Sequence, residues 1–241
     1  MIRAIVIAAL FVVAFLVWNA PTSLLRGAVG GLQGAELINT RGTLWNGDGT
    51  LLIQGQNLGT LSWSFRPASV LALEARYEYS LSGAGVALNG ELASGFSRAE
   101  GTSTGQVSNT SLNAWLAAYD LTMEGDVRLE QLSFEIGHDG AVQALDGELS
   151  WQGGEVRYPE AIGMQTALLP PLIAVLADEG GQATANVFPE GNTTPVLTAR
   201  TLPGGRYRIG VTKLLTRLAG RPWRGSDPDH TVVLELEEQL L

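Results

Sequence analysis

Few residues in this chain have the type and spacing to do chemistry. Gly101-Thr-Ser-Thr-Gly105 matches the pattern of a hydrolase nucleophile elbow, with Ser103 as the nucleophile. An elbow needs a buried strand before the serine and a helix directly after it, so that the hydroxyl stands clear of a sharp turn. Residues 94–100 are polar, and the next helical pattern begins several residues beyond the motif. The segment 95–108 therefore reads as a Ser/Thr/Gly loop or weak edge strand, with a serine hydrolase using Ser103 as a further alternative. The two histidines, His138 and His230, stand apart in turn-like surroundings: Gly137-His-Asp-Gly140, and after Asp227-Pro-Asp229. Asp227, Asp229 and His230 could bind a divalent ion weakly, but metal centres gather three or four ligands, and a turn is the simpler reading. Asp178-Glu179 beside Gly180-Gly181 reads as a helix end, since the spaced oxygens of a calcium loop are absent. The glycines of 27–34 lack the lysine and hydroxyl of a phosphate loop. With no cysteine, thiol catalysis, cysteine-bound zinc and disulfides are excluded. The expectation is a protein with no catalytic residue, no metal and no cofactor.

What the sequence does specify is a sheet. In Leu61-Ser-Trp-Ser-Phe65 apolar and polar residues alternate strictly, the period of a strand with one dry and one wet face. The preceding Arg41-Gly-Thr-Leu-Trp-Asn-Gly-Asp-Gly is punctuated by glycine, as tight turns require, and the two stretches read as a hairpin carrying Trp45 and Trp63. The phrase returns as Gly147-Glu-Leu-Ser-Trp151. Residues 73–81 and 86–92 alternate as a second hairpin, with Tyr77 and Tyr79 on its apolar face. Val127 and Leu129 are out of phase with Leu132, Phe134 and Ile136, so a bulge is expected at Glu130-Gln131. Further strands are expected at 145–151, 183–187, 197–211 and 232–236. Three stretches have helical spacing: 111–119, 168–178 with its prolines in the first turn, and 213–220.

About ten amphipathic strands with three short helices leave most of the apolar face uncovered. The expected fold class is mainly β: an N-terminal transmembrane helix plus a folded-over, strongly curved antiparallel sheet, as a trough, partial barrel or sandwich. The aromatics Trp45, Trp63, Phe65, Tyr77, Tyr79, Phe134 and Trp151 would form its core or line its trough. The helices at 111–119 and 213–219 would plug the ends.

Residues 4–20 carry no charge and follow a lone Arg3. They read as an uncleaved signal-anchor within 1–22, with Ile5, Ile7, Leu10, Phe11 and Phe15 in the bilayer and Trp18 at the far interface. Bulky Trp18 disfavours the competing reading, a cleaved signal peptide. The N-terminus would stay cytoplasmic, with 23–40 a juxtamembrane segment and 41–241 a β domain across the membrane, in two related halves of about 41–110 and 120–241. Net charge is −9, the wrong sign for nucleic-acid binding.

The anchor, Gly42-Thr-Leu-Trp-Asn-Gly47, the Leu61-Ser-Trp63 strand ending in Arg66-Pro67, Gly147-Glu-Leu-Ser-Trp151 and Leu218-Ala-Gly-Arg-Pro-Trp223 together resemble the N subunit of the type II (general) secretion pathway of Gram-negative bacteria. The resemblance implies a single-pass inner-membrane protein with a periplasmic domain. It further implies a non-enzymatic accessory role in exporting folded proteins across the outer membrane, with other secretion subunits as partners. It also implies a distant likeness to periplasmic β-trough proteins that conduct lipid, so a lipid-handling trough stands as the alternative.

Overall fold

The computed structural model describes residues 35–53, 55–137, 141–160 and 163–239. The expected anchor, with Ile5, Ile7, Leu10, Phe11, Phe15 and Trp18, lies outside them. No helix among the described residues is long and apolar enough to cross a membrane.

Thirteen strands form one antiparallel sheet. They are β1 (Ala35–Gly42), β2 (Asn46–Ile53), β3 (Gln56–Phe65), β4 (Ala75–Gly83), β5 (Val86–Ser94), β6 (Arg98–Val107), β8 (Val127–Gly137), β9 (Val142–Trp151), β12 (Leu172–Glu179), β13 (Gln182–Pro189), β14 (Leu197–Leu202), β15 (Arg206–Thr212) and β16 (Val232–Gln239). Their order in the sheet follows the chain. The three strands missing from that list, β7 (Thr122–Met123), β10 (Gly154–Glu160) and β11 (Gly163–Leu169), make a small sheet in the order β11-β10-β7. Helix α1 (Asn109–Leu116) continues as a 3₁₀ turn, Ala117–Tyr119, and helix α2 is Lys213–Leu218.

The register gives the sheet a dry and a wet face, because directly paired residues share a face. One rung runs Trp63, Tyr79, Gly90, Ser103, Leu132, Gly147, Leu176, Ala185, Ala199, Ile209, Leu236. The neighbouring positions give Ser64, Glu78, Glu91, Thr102, Ser133 and Asp146 on the other side. The connections at one end of the strands hold α1, the small sheet and α2. Those at the other end are hairpin turns and the 3₁₀ turn Pro67–Ala72. The expected bulge is present, as a register shift between Leu129 and Gln131. The sheet runs without interruption through both of the expected halves: β6 pairs with β8 across α1.

Four expectations are corrected. First, the sheet does not fold over on itself and is not strongly curled: β1 and β16 stay at opposite edges. Part of the apolar face is shielded within its own layer. Large side chains lie over glycines of neighbouring strands, so that a Cβ on Gly47 would stand 2.6 Å from the Trp63 ring and one on Gly101 would stand 2.5 Å from the Phe134 ring. Second, residues 168–178 are not a helix. They are the end of β11 and strand β12, broken by Pro170-Pro171. The run Leu172-Ile-Ala-Val-Leu is apolar at every position, which fits a strand inside a sheet as well as a helix. Pairing with β9 and β13 on both sides decides it. Gly180 and Gly181 both have positive φ, 65° and 82°, and close the β12–β13 hairpin where a helix end was expected. Third, residues 98–107 are an interior strand, β6, paired on both sides, where a loop or weak edge strand was expected. Fourth, the first strand begins at Ala35, inside the segment assigned as juxtamembrane.

Candidate functional site

Ser103 shows why the elbow pattern misleads. It lies in the middle of β6, buried, opposite Gly90 and Leu132, with the strand running on to Val107. Gly101, Ser103 and Gly105 share the apolar face, as residues at period two must. Leu92 and Phe134 crowd against Gly101. The motif is a stripe of small residues that leaves room for large neighbours, and its hydroxyl is not presented at a strand-to-helix turn. His138 lies outside the described residues and His230 is exposed. Asp229 pairs with Arg217 at 2.8 Å, and no group of three or more metal-ligating side chains occurs among the described residues.

The structure resolves the aromatics into two groups. Trp63 and Trp151 are buried, and each indole donates a hydrogen bond to a backbone carbonyl: Nε1 of Trp63 to Thr43 at 3.1 Å, and Nε1 of Trp151 to Glu124 at 2.7 Å. Trp45, Phe65 and Tyr77 form a half-buried row, with ring centroids 4.7 Å and 5.2 Å apart and tilted planes. Burial pushes the Tyr77 phenol above its ordinary value. Tyr79 and Phe134 are also half-buried, and Tyr79 donates to the Thr102 carbonyl at 3.4 Å.

The elements at the capped end are tied down by polar contacts. Asn113 on α1 pairs reciprocally with the Met123 backbone, donating at 3.0 Å and accepting at 2.8 Å. Lys213 at the start of α2 is buried and donates to the Gly225 and Asp227 carbonyls at 2.5 Å and 3.0 Å, which fastens the loop before β16. Arg221 bridges to Glu160 of the small sheet at 3.1 Å.

The wet face carries an ion-pair network: Arg66 with Glu78 and Glu91, and Arg76 with Glu74, Glu91 and Glu100. The hydrogen bond that Arg76 donates to Glu74 leads the effects that hold its guanidinium above its usual value. These pairs are partly exposed, where solvent screens them and their contribution to stability is small.

Among the described residues, three open surfaces bear on partner contact. One is the half-exposed apolar face. The second is a cluster at the uncapped end: Val70, Leu71 (91% exposed), Leu73 and Phe96 (84% exposed). Leu73 and Phe96 line one shallow hollow of about 380 Å³. The third is the β16 edge, where Val232, Leu234 and Leu236 are exposed. There the hydrogen bond from Arg208 leads the effects that hold the Glu237 carboxyl below its ordinary value. The hydrogen bond to Glu238, 2.8 Å long, together with burial pushes the Tyr207 phenol up to about 12. The sequence reading missed the second and third surfaces. Their signals were present: the run Val70-Leu-Ala-Leu73 follows a helix-starting proline with no polar spacing, and 234–237 alternates leucine with glutamate.

A family model described as type II secretion system (T2SS), protein N, matches residues 33–222. No curated protein matches the chain. No solved structure matches it either.

Proposed function

The chain belongs to the type II secretion system protein N family, and from that premise we propose that it is a non-enzymatic accessory component of type II secretion. In this reading it is anchored in the inner membrane by residues 4–20, with its sheet in the periplasm, and it assists export of folded proteins by contacting other secretion subunits. Family membership carries the secretion role. The sheet supports the mode of action: surfaces that a self-sufficient domain would bury are left open, the mark of a partner site. A strain lacking this protein should retain its exported enzymes inside the cell envelope while lipid asymmetry stays normal. Unimpaired export would end the reading. Protease accessibility from the periplasmic side tests the orientation.

The half-exposed apolar face favours a second reading, a lipid-handling module of the same architecture. The half-buried row of Trp45, Phe65 and Tyr77 would then meet acyl chains. Lipid that copurifies with the protein and is displaced by detergent would support this reading, whereas lipid-free protein with normal secretion would remove it.

A further inference from the structure

The two edges of the large sheet differ in how they receive another strand. β1 is interrupted: Asn39 has φ 52° and its register with β2 shifts between Ile38 and Arg41. A bulge of this kind twists an edge away from pairing. β16 has a register shift only at its start, where Thr212 faces Val232 and Val211 faces Leu234, and from there to Gln239 opposite Arg206 it stays in register with β15. β16 pairs with β15 alone, so its outer backbone groups face outward among the described residues. Leu234 and Leu236 extend the dry face and are 51% and 45% exposed, as residues on the last strand of an unfinished sheet would be.

The wet side of β16 selects what can pair there. Glu235 and Glu237 alternate with the two leucines. Glu237 is held by Arg206 at 2.6 Å and Arg208 at 2.9 Å. Glu235 reaches Arg208 only at 3.8 Å, and its side chain is 57% exposed, which leaves its charge for a neighbour. A second copy of the same strand is disfavoured in two of its leucine-matched registers. In an antiparallel β16–β16 pair with both dry faces on one side, matching Leu234 with Leu236 sets Glu235 against Glu235. Matching Leu236 with Leu236 sets Glu235 against Glu237. Like charges directly opposite are destabilising.

We propose that β16 is a docking edge for an extended segment of another polypeptide, one with apolar residues opposite Leu234 and Leu236 and an arginine or lysine opposite Glu235. Backbone hydrogen bonds supply the affinity and the alternation supplies the register. The inference rests on the reading that the protein works through subunit contacts, and it places one such contact. β16 lies beyond the residues matched by the family model.

The test uses the full chain and two synthetic peptides, one alternating valine with arginine and one alternating valine with glutamate. Fluorescence anisotropy should show the arginine peptide binding more tightly by roughly tenfold, because Glu235 attracts the one peptide and repels the other. Glu235→Arg should erase or reverse that preference, and Glu235→Gln, which perturbs the fold less, should reduce it. Amide exchange should slow in β16 and stay unchanged in β1. Equal binding of both peptides, protection of β1, no binding, or self-association abolished by Glu235→Arg would each overturn the proposal. A deletion strain that fails to export, together with a protein that binds neither peptide, would remove the docking edge and leave the secretion role standing.

Discussion

Replacing Trp63 separates a core aromatic from one that lines an open trough. The side chain is 7% exposed, lies against Gly47 and donates its indole hydrogen to the Thr43 carbonyl. Trp63→Ala removes a large buried ring and opens a cavity that the sheet cannot collapse, since Gly47 brings no side chain to fill it. The expected cost is about 3–5 kcal/mol. Against a total stability on the order of 5–15 kcal/mol, that is a large fraction. At roughly 2–4 °C per kcal/mol for a domain of this size, the melting midpoint should fall by about 6–20 °C. Trp63→Phe keeps most of the ring and loses the hydrogen bond, worth about 1 kcal/mol, plus part of the packing. Phe134→Ala, at a half-buried position, should cost less than Trp63→Ala. Far-ultraviolet circular dichroism on heating and in denaturant reads all three without relying on tryptophan emission. If Trp63→Ala shifted stability by less than about 0.5 kcal/mol, as an ordinary surface substitution does, Trp63 would not be part of the core.

Asn113→Ala should cost about 1–3 kcal/mol because it strands the Met123 N–H and C=O together, and amide exchange at Met123 should quicken while the centre of the large sheet stays protected. The Tyr207 phenol has its folded-state pKa raised above the unfolded value of 10 to about 12. The stability it contributes is therefore complete below pH about 10 and lost as pH rises toward about 12. Tyr207→Phe should flatten the alkaline limb of a stability–pH curve, and an unchanged limb would show that the Glu238 contact is not maintained in solution.

How legible the fold was depended on how strictly each segment alternates. Leu61 to Phe65 and Tyr77 to Leu81 alternate cleanly, and both became strands in the expected hairpins. The phase slip at Glu130-Gln131 became a bulge because a fixed dry face forces an extra residue out of the ladder. Segments failed where the side chains carried no period. β6 has small residues on its dry face, so hydrophobicity was silent while the backbone ladder held it inside the sheet. β12 is apolar on both faces, so only its two partners distinguish strand from helix. The sheet curls less than its number of apolar faces implies, because glycines let one layer shield part of itself. The open surfaces were hardest to read, since exposure at Leu71, Phe96 and Leu234 is decided by neighbours far away in the chain.

Ala35 enters the sheet opposite Ile53, at the rim that also bears α1, the small sheet and α2. Strands such as β3, ten residues long, separate that rim from the opposite one by roughly 33 Å. A tether acting through the residues before Ala35 would therefore hold the plugged rim close to its attachment point. The bare rim, with Leu71 and Phe96 at its lip, would stand outermost, like the free end of a bracket. A partner approaching that rim would find Leu71 and Phe96 exposed there.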